Sequence, residues 1–163
     1  MKENLSKAVA LILSGLLIIS CGKPASVEDG LLPVSPSDEV EAFFKTYLPS
    51  YDGSSDIGFG LGEETECIVI NSASELEGIA PNDAELPSID FDRHTLIIGR
   101  MVKGSPRYTY EGQKISSESG RTVLTVTYKE LDGAAPLEIT YYNFWGLYDK
   151  LQDTEIELNV KID

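Results

Sequence analysis

The chain has 163 residues, with 27 acidic against 13 basic side chains and a formal charge of −14. That excess disfavours nucleic acid and anionic headgroups as partners, because both are repelled by an acidic surface. One histidine and two cysteines are too few ligands for a structural zinc centre.

Lys2 and Lys7 lead into residues 8–19, an apolar run broken only by Ser14 and Gly15. A bilayer-spanning helix needs about 20 apolar residues, and this run has roughly a dozen, so it reads as a secretory h-region. Ile18-Ile19-Ser20-Cys21-Gly22 resembles the bacterial lipobox. The resemblance implies a diacylglyceryl thioether on Cys21, cleavage before it, and an acyl group such as palmitate on the new amine. Burying acyl chains contributes about 0.8 kcal/mol per CH₂, so two or three chains anchor stably where one does not. The expected place is therefore the bacterial cell envelope, with the membrane as a partner through the lipid on Cys21. Gly22 is not the Asp of an inner-membrane retention signal, which points to the outer membrane.

Residues 22–33 mix Gly, Pro, Ser, Glu and Asp and read as a flexible tether. The expected division is a leader at 1–20, a lipidated cysteine and tether at 21–34, and one globular domain at 35–163. Without the leader the charge is about −15, an ordinary solvated surface for an exported domain. Ser35, Pro36 and Asp38 predict a helix start, with Ser35 as cap, Pro36 in the first helical position and Asp38 near the positive end of the dipole. Val40, Phe43, Phe44, Tyr47 and Leu48 form one apolar stripe, and Pro49 closes the helix.

Residues 50–62 contain Gly53, Gly58, Gly60 and Gly62 without apolar periodicity and read as a loop. The spacing of the last three is not that of a dinucleotide fingerprint, and Glu63, Glu64 and Glu66 would repel phosphate. Asp52 and Asp56 lack the remaining positions of a calcium loop. Residues 66–70 read as a short strand. Cys67 within it is a small buried residue, with no second thiol to pair with once Cys21 is acylated. Ser72-Ala73-Ser74-Glu75 matches a capping box and predicts a short helix at 73–79, followed by a loop at 81–87.

Residues 95–102, TLIIGRMV, are apolar at almost every position and predict a central strand covered on both faces. Gly104-Ser105-Pro106 turns the chain. Strands follow at 107–111 and 121–130, with a turn at 116–120 between them. Residues 131–136 form a loop, 137–145 a strand, and 146–153 a turn or irregular link. Ile156, Leu158, Val160 and Ile162 alternate with Glu155, Glu157, Asn159 and Lys161, which predicts a strand with one buried face near a sheet edge. Helices come first and strands dominate later. The expected class is α+β: a mostly antiparallel sheet, as a sandwich or open barrel, with one or two helices packed beside it.

Chemistry-bearing motifs are few. His94 reads as a turn or surface residue ahead of the apolar strand. A site pairing it with Asp92 has no nucleophile motif beside it, and there is no G-x-S-x-G elbow. No catalytic residue, metal site or cofactor is expected. Scattered carboxylates leave a hydrolase as a distant alternative. The most suggestive stretch is 141–148. By alternation Ile139, Tyr141 and Trp145 point one way, and Tyr142, Phe144 and Tyr148 the other. If the second set is exposed, it forms an aromatic face for protein or sugar. If a layer covers each side, both sets are core.

Residues 72–79 followed by Ile89-Asp90-Phe91-Asp92-Arg93-His94-Thr95-Leu96-Ile97-Ile98 resemble the C-terminal domain of the protease-complex subunit PrcB. In that family a short helix precedes an I-D-F step and an apolar strand. A Gly-rich turn and an aromatic follow, which Gly104-Ser105-Pro106-Arg107-Tyr108 matches in part. The likeness spans about residues 66–130, and the chain also resembles small lipoproteins of Bacteroides-like bacteria. The resemblance implies a non-catalytic partner of a protein, with no active-site residues to carry over. The expectation is an envelope lipoprotein with a protein-binding or accessory domain. A carbohydrate-binding module using Tyr142, Phe144 and Tyr148 is the alternative, and a hydrolase with a carboxylate site the second.

Overall fold

The computed structural model describes residues 30–50, 59–104, 107–133, 139–152 and 155–163. Helix α1 (Asp38–Tyr47) forms where the apolar stripe predicts it, but Ser37 rather than Ser35 is its cap. The Ser37 hydroxyl accepts from the Val40 N–H at 3.4 Å, which puts Asp38 in the first helical position and leaves Pro36 outside. Asp38, Glu39 and Glu41 occupy the first turn and Lys45 the last, both favourable to the helix dipole. Strand β1 (Glu66–Ile70) and helix α2 (Ala73–Ile79) lie at their predicted bounds. Ser72 Oγ accepts from the Glu75 N–H at 3.2 Å. The reciprocal half of the capping box is shifted by one residue: the Glu75 carboxylate takes the N–H of Asn71, at 2.6 Å, instead of that of Ser72.

Strands β2 (His94–Lys103), β3 (Arg107–Glu118), β4 (Arg121–Leu131), β5 (Thr140–Asp149) and β6 (Ile156–Ile162) complete an α+β fold. One sheet has the order β1-β2-β5, all antiparallel; the other has the order β3-β4-β6, with β6 parallel to β4. The two sheets face each other without closing into a barrel, and α1 covers the outer face of the first. Strand β2 serves both cores. Leu96 and Ile98 face α1 with Phe43, Phe44 and Leu147, while Ile97 and Met101 face the second sheet with Ile115, Leu124, Val126 and Tyr128. A strand buried on both faces cannot alternate, which is why 95–102 reads as continuously apolar.

Two elements run longer than the sequence pattern suggests. β3 continues past Glu111 because a bulge at Tyr110–Gly112 absorbs one residue and restores the register. The turn after it shrinks to Ser119 and Gly120, both with positive φ (53° and 80°), as a two-residue hairpin requires. β5 continues through Gly146, where the pattern predicts a turn. Gly146 sits mid-strand because the Gln113 side chain crosses it to donate to the Trp145 carbonyl at 2.8 Å, in space a Cβ would fill. The predicted start of this strand, 137–138, lies outside the described residues.

Residues 31–34, expected at the end of the tether, are bonded to the strands. The Leu31 N–H and carbonyl both bond to Ile115 of β3, at 2.7 and 2.8 Å, and the Val34 N–H donates to Leu147 of β5 at 2.7 Å. Residues 31–34 are thus a strap across the β3 and β5 edges, on the closed side of the sandwich. Helix α1 is seated on the sheet through Phe44, whose ring is fully buried and stacks on Trp145 with 4.4 Å between centroids. Phe44→Ala is expected to cost about 3–5 kcal/mol against about 1 kcal/mol for Ser37→Ala, read from urea unfolding midpoints.

Candidate functional site

The residues singled out from the sequence do not make a site. Tyr142, Phe144 and Tyr148 point to one side, as alternation predicts, but that side is the space between the sheets. They are 3, 3 and 0 % exposed. The aromatic binding face is therefore corrected to core: β3-β4-β6 covers it, and α1 covers the opposite face with Trp145. The row is wired as well as packed. Tyr128 Oη donates to the Tyr142 carbonyl at 3.2 Å, and Tyr142 Oη accepts the Tyr108 N–H at 3.2 Å. Tyr148 Oη, fully buried, has no hydrogen-bond partner. Burial pushes the Tyr110 phenol up to about 12 and those of Tyr128 and Tyr148 well above the ordinary tyrosine range.

His94 is the first residue of β2 and half-buried. Its N–H donates to the Asp90 carbonyl at 2.9 Å, and Asp90 Oδ1 accepts the Asp92 N–H at 3.2 Å, which builds the turn before the strand. His94 Nδ1 is buried without a partner, so no imidazole–Asp92 bond forms through that nitrogen. Arg100, fully buried, is structural: Nη1 donates to the Gly62 carbonyl at 2.7 Å and the guanidinium lies 5.0 Å from the Tyr141 ring centroid. Among the described residues no three His, Cys, Asp or Glu come together as metal ligands. Cys21, Asp52, Asp56 and Gly58 lie outside the described residues.

The feature with the shape of a site is a cleft of about 820 Å³ on the open side of the sandwich, within the range of ligand pockets. One wall is the free edge of β1, at Cys67, Ile68 and Val69, continued by Asn71 and Glu75. The other is the start of β4 and β6, at Gly120–Thr122 and residues 155–157. The Asn71 end is rigid. Its side-chain oxygen accepts from Thr95 Oγ1 at 2.7 Å, its carbonyl from Lys150 Nζ at 3.3 Å, and its N–H is held by Glu75. Glu75, Glu155 and Glu157 rim the cleft against one cation, Arg121. Arg121 bonds Glu157 at 2.9 Å with both side chains more than half exposed, so the pair adds little stability and the rim stays net acidic. Cys67 lies on this wall; burial, then the charge of Glu66, pushes its thiol up to about 11, which makes it a reluctant nucleophile.

None of these wall residues stood out in the sequence as a site. The short apolar run 66–70 was visible, but that it lies at an edge follows from strand order, which no local pattern encodes. No protein-family model matches the chain, and neither a curated protein nor a solved structure matches it.

Two measurements check this geometry. In the Cys21→Ser chain, where Cys67 is the single thiol, iodoacetamide at pH 8 is expected to react about 10- to 100-fold more slowly than with an unburied cysteine, with the rate climbing tenfold per pH unit toward pH 11. Tyr148→Phe removes a buried hydroxyl that bonds nothing and is expected to be neutral or stabilising by about 1 kcal/mol, whereas Tyr128→Phe loses a bond and costs about that much. Equal penalties in urea unfolding would contradict this assignment.

Proposed function

We propose that the chain is a lipid-anchored protein of the bacterial cell envelope, tethered through Cys21, whose domain binds another protein without catalysing a reaction. The observation that carries this reading is the position of the acidic cleft relative to the strap. Residues 31–34 run along the β3 and β5 edges, while the cleft opens between the β1 and β6 edges on the opposite side. A tether leaving from the closed side holds the cleft away from the membrane, where a partner reaches it. The lipobox residues 18–21 and the PrcB-like stretch at 66–130 support the same reading.

The sugar-binding alternative loses its basis with Tyr142, Phe144 and Tyr148 buried. The carboxylates at the cleft bear on the hydrolase alternative. Glu75 holds the Asn71 N–H and Glu157 holds Arg121, so these carboxylates are already bonded to the walls, as suits a charged docking rim.

The anchor is tested by fractionation. The parent is expected to stay in the membrane pellet through a high-salt wash, and the Cys21→Ser chain to be released. The partner is tested by cross-linking in intact cells and pull-down from envelope extract; recovery of nothing beyond what a Cys21-anchored unrelated domain recovers would defeat the protein-binding reading.

A further inference from the structure

The four sheet edges of the sandwich are treated differently, and one is left open. The β3 edge carries the strap at Leu31, and the β5 edge is crossed by the Gln113 side chain and bonded by Val34. The β6 edge strand carries Glu157 and Lys161 in alternation, and charged side chains blunt an edge. β1 carries a charge only at its first residue, Glu66, whose carboxylate is turned back to the Gly62 N–H. Its sequence, ECIVI, holds no Lys, Pro or bulge. Among the described residues, Cys67, Ile68 and Val69 make no backbone hydrogen bond except within the pairing to β2. Half the N–H and C=O groups of an edge strand point away from its neighbour, and Cys67, Ile68 and Val69 line the cleft.

We infer that β1 accepts an added strand. An extended peptide segment of the partner protein pairs with the backbone of Cys67, Ile68 and Val69 along the cleft, with lysine or arginine side chains over Glu75, Glu155 and Glu157. This deepens the protein-binding reading and rests on it. Main-chain bonds supply the affinity in such strand addition, and side chains supply the choice of partner. The charge selects a cationic segment, because the rim holds three carboxylates against Arg121. The same charge argues against a second copy of this chain: pairing β1 with β1 would bring two acidic rims together in a protein of net charge −14. The rigid Asn71 end, held by Thr95, Lys150 and Glu75, keeps the edge straight without a cost in ordering when the strand arrives.

The test uses the detergent-solubilised lipidated protein and three fluorescent heptapeptides: one alternating Lys and Val, one alternating Glu and Val, and the Lys peptide methylated at alternate backbone nitrogens. Anisotropy is expected to show binding of the Lys peptide, at least tenfold weaker binding of the other two, and affinity falling with salt. Hydrogen exchange at residues 67–69 is expected to slow in the Lys-peptide complex. Replacing both Glu155 and Glu157 by Lys, at exposed positions, is expected to weaken binding at least tenfold with unfolding midpoint little changed. Equal affinity for the methylated peptide, or unchanged exchange at β1, overturns strand addition. So does a concentration-dependent dimer that protects β1 without peptide. A pull-down partner whose binding survives the two Lys replacements and leaves β1 exchanging freely would sink the strand mechanism while leaving the protein-binding reading intact.

Discussion

The row of Tyr142, Phe144 and Tyr148 along β5 is wedged between two sheets, and everything else adjusts to it. Aromatic side chains bury more area than any others and gain further from edge-to-face contacts. Tyr142 meets Tyr108 and Tyr128 in that geometry, at 5.6 and 5.9 Å. The Phe144 ring leaves no room for a side chain directly opposite it on β2. Hence Gly99 on β2: a Cβ there would sit under 3.0 Å from both the Phe144 ring and the Glu66 carbonyl. The glycine inside the most apolar strand of the chain is a consequence of the ring beside it.

The same packing makes the molecule asymmetric. On the β3/β5 side the sheets are sewn together by the Gln113 side chain reaching the Trp145 carbonyl, by the Tyr142 hydroxyl accepting the Tyr108 N–H, and by the strap of residues 31–34. On the β1/β6 side the edges border the cleft, whose rim carries the carboxylates of Glu75, Glu155 and Glu157. The closed side is bonded main chain and cannot open without breaking several hydrogen bonds. On the open side, among the described residues, Cys67, Ile68 and Val69 make backbone bonds only with β2.

Buried polar groups hold these parts in register. Arg100 ties β2 to Gly62, and Glu66 takes the Gly62 N–H from the neighbouring strand. Asn143 donates from its side chain to the Pro49 carbonyl at 2.8 Å, which fixes the exit of α1 against β5. Each such bond nets little, but a buried partner left unsatisfied costs more, so these groups specify one arrangement of α1 on the sheet rather than adding greatly to stability.

Local patterns determined a good deal by themselves. The stripe of α1, the cap at Ser72, the bounds of 66–70 and 73–79, the twofold-buried strand at 95–102 and the alternation of β6 are all set by neighbours within a few residues, and periodicity reads such neighbours directly. The sorting of the 141–148 rings into two sets was legible for the same reason. What covers each set was not, because a ring facing a second sheet and a ring facing water have the same spacing along the chain. Gly146 as mid-strand residue, the bulge at Gly112 and the parallel pairing of β6 with β4 depend on partners well away along the chain. The cleft belongs wholly to that second kind: it exists only because β1 and β6 end up as facing edges, a matter of strand order that long-range packing decides.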